Sequence, residues 1–397
     1  MTSSPSTRAT HTPGFDRVVR RDDGAFAALG AEWDALHRRC PAAGVFQSVE
    51  WLESWWRSYG RPGALRLVVV RRDGRAVAGA ALTRTVRAGV PVLVPVGAGI
   101  SDWSDVLVDP AVPGAAAALR AALLAEPGWS VLDLPEVAAG GHARELAGGW
   151  PGRCLSTPAS VCSSLPAAPI EDLVGSLSSS MRADVRRALR RVDTAGVTER
   201  RVPVDELPAA VGRLLELHRR QWRARGGMTP EHGRPRFAGH LTRSVTAMAD
   251  GGRAALHEYR AGGELVASSL LLIDAEQVGG YLYGADPGLY GRVNVTTMLT
   301  RTALREAVDR GAARFGLLRG REEYKSGWRA EPARNDRLLL VRPGDPRGLG
   351  YAVVVRAAAR GRDVVRERLP AVRAAVAAAR RTARNPRLLL RGRSAAR

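Results

Sequence analysis

Two stretches of the chain share one pattern of apolar and polar positions. Leu65–Thr83 and Ala254–Leu272 each hold an apolar run rich in strand-forming residues, a short turn with glycine, and a second apolar run. The pattern predicts two β-hairpins with tight glycine turns. The positions that align are Arg71, Gly74, Val77 and Ala78 with Arg260, Gly263, Val266 and Ala267. Two similar domains in tandem are the economical interpretation, and a chance likeness between two glycine-turn hairpins is the alternative.

Helical and strand patterns flank each hairpin. In the first half, the predicted helices are 23–37, 48–59, 113–125 and 139–148, and the predicted strands are 90–97, 104–108 and 130–134. In the second half, the predicted helices are 178–195, 205–225, 233–250 and 294–310, and the predicted strands are 278–286, 313–319 and 337–343. Gly311 stands where a C-cap glycine would end the last helix. Helices alternate with strands, so the predicted fold class is α/β (α+β), with a mixed, mostly antiparallel sheet in each domain.

Changes in composition along the chain divide it into four parts. Residues 1–14 are polar and predicted to be a disordered tail, and residues 15–165 form the predicted N-terminal domain. Residues 166–345 form the predicted C-terminal domain, which ends in a Pro/Gly-rich run. Residues 346–397 are predicted to be a basic, Arg/Ala-rich helical tail that Pro370 interrupts.

Composition narrows the class of protein. With 45% hydrophobic and 25% charged residues, the chain is typical of a globular protein. No apolar run is long enough to span a bilayer, and the N-terminus lacks the apolar core of a signal peptide. The three cysteines show no metal-ligand spacing and are odd in number, and the seven histidines form no metal-spaced pair. We therefore expect no metal and a cytoplasmic protein, peripheral at the inner membrane face if it meets a membrane.

The net charge of +21 is concentrated in two places. Residues 345–397 hold 14 arginines against three acidic residues, which is about half of the excess. A second basic segment, within 178–195, contains Arg182, Arg186, Arg187, Arg190 and Arg191. Such clusters attract RNA or an anionic membrane surface. Solvated helix faces are the alternative explanation.

Lys325 is the single lysine among 60 basic residues. Lysine is a compact ammonium that fits tight sites, whereas the arginine guanidinium is planar and permanently charged. Gly320 and Gly327 bracket the turn that holds Lys325 together with Glu322, Glu323 and Tyr324. The setting favours a functional lysine over a chance surface residue.

These strings resemble the GNAT-fold acetyltransferases of the BioF-like type, often labelled CelD-like cellulose-biosynthesis proteins, which are relatives of the Fem aminoacyl transferases. The matching strings begin at 45–60, 65–83, 99–110 and 178–197 and continue from 281 to the closing strand, so the resemblance covers roughly 15–345. The family signature is a strand followed by glycine, an acidic residue, Tyr-Lys and an aromatic residue, which are here Gly320, Glu322, Tyr324, Lys325 and Trp328. The family usually has an acidic residue where this chain has Gly316.

The resemblance implies two GNAT-like domains side by side, with the active cleft in the second domain near the interface. It implies acetyl-CoA or another acyl-CoA as donor. The implied acceptor is an amine or hydroxyl of a small molecule, sugar or envelope precursor. In the Fem relatives the matching lysine contacts substrate phosphates.

Acyl transfer needs a deprotonated nucleophile, a stabilised oxyanion and a protonated leaving group. Lys325 is the candidate for neutralising negative charge, Glu322 or Glu323 for the base, and Tyr283 or Tyr324 for protonating the thiolate. Packing within the strand is the alternative for Tyr283. The loop 287–294 precedes a helix, where backbone amides bind anions. Its candidate donor-binding residues are Gly288, Gly291, Arg292 and Asn294, and an ordinary strand-to-helix turn is the alternative.

The candidate acceptor-binding residues are Gln47, Trp51, Asp102, Asp105 and Trp328. Trp51 lies on an aromatic helical stripe, a pattern that is more often typical of core packing than of a ligand site. Two other functions stay open: a Fem-like transferase that uses aminoacyl-tRNA, and a non-catalytic scaffold that binds polyanions through its basic segments.

Overall fold

The fold is that of a computed structural model, which describes residues 14–225, 229–320, 325 and 327–368. Its strands are β1 Asp16–Arg20, β2 Leu65–Arg72, β3 Arg75–Arg87, β4 Val90–Pro95, β5 Leu107–Val108, β6 Val131–Val137, β7 Cys154–Pro166, β8 Val197–Arg201, β9 Ala254–Ala261, β10 Glu264–Ile273, β11 Gln277–Ala285, β12 Arg314–Arg319 and β13 Glu331–Val341. Its helices are α1 Ala25–His37, α2 Val49–Tyr59, α3 Ala115–Ala125, α4 His142–Gly148, α5 Ile170–Ser176, α6 Ser179–Thr194, α7 Leu207–Arg225, α8 Pro235–Asp250, α9 Val295–Asp309 and α10 Pro346–Arg368.

All strands join one sheet with the order β1-β2-β3-β4-β6-β13-β7-β12-β11-β10-β9-β8, and β5 pairs with β3. The two halves repeat the same succession of elements, namely a strand, two helices, three strands, a helix and a strand, except that the two-residue strand β5 follows β4 in the first half. Neighbouring strands are antiparallel except for β4 with β6 and β11 with β12. The parallel pair therefore occupies the same place in each half.

The halves exchange their last strands. β13, from the end of the second half, pairs with β6 of the first half through Val341 and Val131. β7 follows the first half in sequence but pairs with β12 through Leu165 and Phe315. Strands from both sides of residue 165 thus pair with strands of the opposite half. The domain boundary predicted there stays a prediction.

Both hairpins are confirmed. The first turns at Asp73 and Gly74, with φ of 52° and 76°, and the second turns at Gly262 and Gly263, with φ of 58° and 84°. Two successive left-handed residues match the right-handed twist of the flanking strands. Only glycine and a few short polar residues adopt this conformation readily, so the sequence determines both turns locally.

Helices cover both faces of the sheet. The front face carries α1, α2, α7, α8 and α10, and the back face carries α3, α4, α5, α6 and α9. On the front face, one hydrophobic core spans both halves, because Trp51 on α2 packs edge-on against His240 of α8 and Tyr281 of β11. The halves are thus joined through a shared core as well as through exchanged strands.

The predicted helices are confirmed to within a few residues, but several elements were missed. The pattern of the sequence did not predict β1, β7, β8 or α5, and the strand expected at 104–108 is reduced to the two residues of β5. The predicted helical tail begins as α10, whose Tyr351 and Ala352 are buried against β4, β6 and β13. Residues 1–13 and 369–397, including Pro370, lie outside the described residues. Within the described ranges, no helix is long and apolar enough to cross a membrane.

Candidate functional site

The parallel strands β11 and β12 separate soon after they meet. They pair only over Gln277–Gly279 and Arg314–Gly316, although β11 continues to Ala285. The strand cleft that opens on the back face lies beneath α9 and measures about 70 Å³. Its walls include Ser269, Gly280, Tyr283, Thr296, Thr300 and Leu317. The separation is therefore accompanied by a narrow cleft between the strands and α9, with the predicted site residue Tyr283 in its wall.

Side chains of α7 take over the hydrogen bonds that β12 no longer provides. The amide of Asp286 donates to Val266, so the backbone groups of residue 286 face β10. Residues 283 and 285 alternate with it, and their backbone N–H and C=O groups therefore face the opposite edge of β11, toward β12. On that edge, His218 Nδ1 lies 2.7 Å from the carbonyl oxygen of Tyr283. The amide of Ala285 donates to Gln221 Oε1 at 2.9 Å. The pattern keeps the strand edge satisfied while it stays apart from β12.

A glycine permits this close approach. A Cβ built on Gly284 would collide with the backbone nitrogen of His218. The sequence therefore lets α7 lie directly on β11 at this position.

The N-terminus of α9 borders the strand cleft. Asn294 caps the helix, because its Oδ1 accepts from the amide of Thr297 at 3.0 Å. The amides of Val295 and Thr296 have no acceptor within the helix, since they belong to its first turn. A helix N-terminus of this kind attracts anions.

The preceding loop uses some of its predicted donor-binding groups internally. The amide of Gly288 donates to Asp286 Oδ1 at 2.9 Å, and Arg292 donates to the carbonyl oxygen of Ala195 at 3.1 Å. Gly291 is exposed, with open space where a Cβ would lie. Of the four predicted residues, Asn294 shapes the helix end directly, and an anion role for the other three stays a prediction.

A charged cluster lies where the halves meet on the front face. We call Asp102, Glu136, Arg319, Lys325 and Asn335 the central cluster. Arg319 Nε donates to Asp102 Oδ1 at 2.6 Å, and its Nη1 lies 3.5 Å from Glu136. Asn335 Nδ2 donates to the carbonyl oxygen of Asp102 and to Glu136, each at 3.2 Å. The cluster therefore links a loop and a strand of the first half to the last strands of the second.

Lys325 belongs to this cluster. It is 4% exposed, and its Nζ donates to the carbonyl oxygens of Leu318 and Arg319 at 3.3 and 3.1 Å. A compact ammonium suits this position, because it satisfies two converging carbonyls in little space. The single lysine is thus buried, and its predicted functional role stays a prediction.

Burial and neighbouring charge oppose each other in the cluster. Burial raises the pKa of Asp102, while the adjacent Arg319 limits the rise. Burial also disfavours the charge of Arg319, yet Asp102 and Glu136 together raise its pKa. The pair therefore depends on both partners for its charged state.

Strand irregularities converge on the same place. Glu136 and Leu318 have φ of 58° and 54°, values that non-glycine residues rarely adopt. The register shifts between Gly316 and Leu318 and again between Arg334 and Asp336. Bulges and left-handed residues are over-represented at functional sites, because they redirect side chains at an energetic cost.

A larger cavity adjoins the central cluster. This front cavity measures about 380 Å³ and is lined by residues of both halves, including Trp103, Gly140, Cys162, Gln277, Gly316 and Asn335. A Cβ on Gly316 would lie 3.0 Å from the flexible end of Gln277. The position where the resembling family has an acid is thus in the cavity wall.

The structure brings only some of the predicted residues together. Lys325 and Asp102 share the central cluster, and Tyr283 lines the strand cleft. Glu322 and Tyr324 lie outside the described residues. The remaining predicted acceptor-binding residues have structural contacts, described next.

Trp51 is fully buried and donates to Ser101 at 2.9 Å, and the backbone oxygen of Gln47 accepts from Trp33 at 2.9 Å. Asp105 accepts from the amides of His142 and Ala143, at 3.0 and 2.7 Å, at the start of α4. Trp328 packs in the back-face core. These contacts favour packing and capping, and acceptor binding by these residues stays a prediction.

Sequence reasoning missed Glu136, Arg319 and Asn335, and it set aside His218 and His232. The two histidines lie 3.1 Å apart between His218 Nε2 and His232 Nδ1. Their separation in sequence gives no motif, because one lies on α7 and the other in the loop before α8. Among the described residues, no group of three or more potential ligands could hold a metal ion.

The comparisons agree with this geometry. Residues 179–326 match the family model of the acetyltransferase (GNAT) domain. The chain is similar to the crystal structure of FemX, with 13% identity, a TM-score of 0.57, and coverage of 79% of this chain and 96% of FemX. It is also similar to a conserved protein of unknown function from Bacteroides thetaiotaomicron, with 11% identity, a TM-score of 0.51, and coverage of 81% and 99%. A comparison with curated proteins gave no match.

These likenesses confirm the predicted fold class. The matched region contains α6 to β12, the elements that build the strand cleft. At these identities the solved structures show the fold alone.

Proposed function

We propose that the protein transfers an acyl group from a CoA thioester to an amine or hydroxyl acceptor, as a member of the BioF-like and CelD-like branch of acetyltransferases. The observation that carries the proposal is the separation of β11 from β12 beneath the N-terminus of α9. It combines a narrow cleft between the separated strands with the first-turn amides of a helix, in a region that matches the GNAT family.

The donor would enter from the back face. The amides of Val295 and Thr296 suit the phosphates of the donor. Gly291 and Arg292, in the loop that precedes α9, are candidates for further contacts with the same phosphates. The thioester would then lie in the strand cleft, where the backbone N–H of Tyr283 faces the separated edge. A backbone N–H that is fixed in this way donates a hydrogen bond that stabilises a developing oxyanion. The hydroxyl of Tyr283 is the candidate for protonating the departing thiolate.

The acceptor would approach from the front cavity. The polar side chains in its wall, Gln277 and Asn335 among them, and its position against the central cluster favour a polar small molecule, a sugar or an envelope precursor. Lys325 and Arg319 are matched there by the carboxylates of Asp102 and Glu136, so the cluster would offer an acceptor polar and charged partners of both signs. We place this activity in the cytoplasm or at the inner membrane face.

The test is stabilisation by acetyl-CoA, measured as a shift in Tm. A ligand at 100 times its Kd adds roughly 2.7 kcal/mol, which is a shift of a few degrees. Thr296→Trp should abolish the shift, because Thr296 lines the strand cleft. Val308→Trp on the exposed side of the same helix is the matched control and should keep it. A wild-type protein that no CoA thioester stabilises would overturn the proposal.

A second candidate is a Fem-like transferase that uses aminoacyl-tRNA. The likeness to FemX and the exposed arginines of α6, which are Arg186, Arg187, Arg190 and Arg191, favour it. Binding of tRNA should then weaken steeply as salt rises, because each phosphate contact releases counterions. Charge reversal of Arg186 and Arg190 to Glu should remove most of this binding. Binding of tRNA without any response to CoA would favour this candidate over the first.

A further inference from the structure

Two histidines form a hydrogen-bonded pair beside the strand cleft. His218 lies on α7, and His232 lies in the turn that precedes α8. His232 Nδ1 is 3.1 Å from His218 Nε2, and the other nitrogen of His218 is 2.7 Å from the carbonyl oxygen of Tyr283. The pair therefore starts at the separated edge of β11.

The chain of contacts determines where the protons lie. A carbonyl oxygen only accepts, so His218 must carry its proton on Nδ1. The Nε2 of neutral His218 then has a lone pair and must accept, which requires a proton on His232 Nδ1. His232 Nε2 is left with a lone pair. One backbone carbonyl thus sets the tautomers of two imidazoles in succession.

The surroundings hold both rings neutral and in place. Burial lowers the pKa of His218, with the Tyr283 carbonyl opposing the change. Burial, and then His218, lower the pKa of His232 to about 4, with Glu231 opposing and Arg319 contributing. The ring of His232 stacks on Phe237 with centroids 4.6 Å apart.

The charged groups around His232 come from three elements. Glu231 precedes it in its own turn and is bound by Arg236 at the start of α8, and Arg319 stands at the end of β12. Arg319 therefore belongs to the electrostatic surroundings of His232, while the pair itself is anchored to the β11 side of the separated strands through the carbonyl oxygen of Tyr283.

We propose, on the basis of the acyl transfer proposed above, that His232 is the general base of the reaction and that His218 is its positioning residue. The acceptor nitrogen or oxygen attacks the thioester carbon, and a C–N or C–O bond forms. The acceptor proton passes to His232 Nε2. The C–S bond breaks, and the thiolate leaves with a proton supplied by His232 or through Tyr283, so His232 returns to its neutral tautomer.

A weakly basic imidazole suits this task. Attack by an amine leaves a positively charged nitrogen on the tetrahedral intermediate, and its proton is far more acidic than that of the free amine. The base then needs a lone pair throughout the neutral range more than it needs high basicity. His232 retains that lone pair because its neighbours disfavour the imidazolium.

The first experiment compares His232→Asn with wild type in acetyl-CoA binding and in transfer to a panel of amines. Asparagine keeps an N–H that can donate to His218 but removes the base. We expect an unchanged Kd for acetyl-CoA and a kcat reduced by about 100-fold or more. His142→Asn, in the first half, is the matched control and should leave both unchanged. Added imidazole should restore part of the activity of His232→Ala.

The second experiment reads the tautomers directly. The 15N shifts of histidine-labelled protein should show His218 protonated at Nδ1 and His232 protonated at Nδ1. In His218→Phe, His232 should lose this fixed tautomer, and kcat should fall without a change in the Kd of acetyl-CoA. The opposite tautomer of His232 in wild type would overturn the proposal.

The outcomes separate the two proposals. If wild type transfers acyl groups and the kcat of His232→Asn lies within about threefold of it, the proposed function stands. The assignment of His232 as the general base is then overturned. A wild-type protein that neither binds acetyl-CoA nor transfers an acyl group overturns the proposed function, and the base falls with it.

Discussion

The guanidinium of Arg319 lies 2.6 Å from the carboxylate of Asp102, and this ion pair joins a strand of the second half to a loop of the first. Asp102 is buried, whereas the Arg319 side chain is about a third exposed. The pair thus lies in the same part of the fold as the exchanged strands and the shared front-face core. It contributes to the contact between the halves.

Asp102→Ala should lower the free energy of unfolding by about 2–3 kcal/mol, because it leaves Arg319 without its nearest counter-charge. This is below the full effect expected for a completely buried pair, since water reaches part of Arg319. Chemical denaturation measures the change. Glu53→Ala removes the exposed pair with Arg57 and should change stability by less than about 0.5 kcal/mol. Equal effects from the two variants would contradict the structural role of Asp102.

The carboxyl of Asp105 should make stability depend on pH. Burial raises its pKa to about 7, against the opposing hydrogen bonds from Ala143, Val106 and His142. A carboxyl whose pKa is higher in the folded chain adds stability below its unfolded pKa, near 4, and this stability is lost as pH rises toward 7. The Tm of Asp105→Asn relative to wild type should therefore increase between pH 4 and pH 7. A Tm difference that is flat across this range, or one that falls, would show that the carboxyl titrates normally.

How far the sequence predicts the fold depends on whether the cause is local. Asp73-Gly74 and Gly262-Gly263 encode their turns in two residues, so both hairpins were predictable. Strand β7 was not, because Pro158 and several serines interrupt its apolar pattern. Pro158 is tolerated in this central strand beside the bulge at Asn335, and the strand is central only because β13 returns from the second half.

The candidate site divides in the same way. Lys325 was recognisable because it is unique in the sequence, and its buried position agrees with that reasoning. Arg319 and Glu136 gave no signal, since arginines and acids are common along the chain and only tertiary packing pairs them. His218 and His232 were set aside for lack of a metal spacing. Their contact depends on how the turn after α7 folds back onto that helix.

Gly284→Ala should disturb the contact between α7 and β11. The new methyl group would collide with backbone atoms of Leu217 and His218, which cannot move as a side chain can. Overpacking of this kind destabilises by about 1–3 kcal/mol. Gly291→Ala is the matched control, because nothing lies within 4 Å of the added Cβ. The measurements are Tm and the 15N shifts of His218, and a Gly284→Ala protein with both unchanged would contradict the close approach.

Lys325→Arg should separate the need for charge from the need for a compact shape. The substitution keeps the positive charge but places a larger, planar group in a site that is 4% exposed and closed by two carbonyls. We expect a loss of about 1–3 kcal/mol in stability and loss of acyl transfer even at a temperature where the variant is folded. Arg301→Lys, at an exposed ion pair with Asp193, is the control and should change neither property measurably. If Lys325→Arg were as stable and as active as wild type, the tight site would be unnecessary. The single lysine would then be an ordinary cation in an arginine-rich chain.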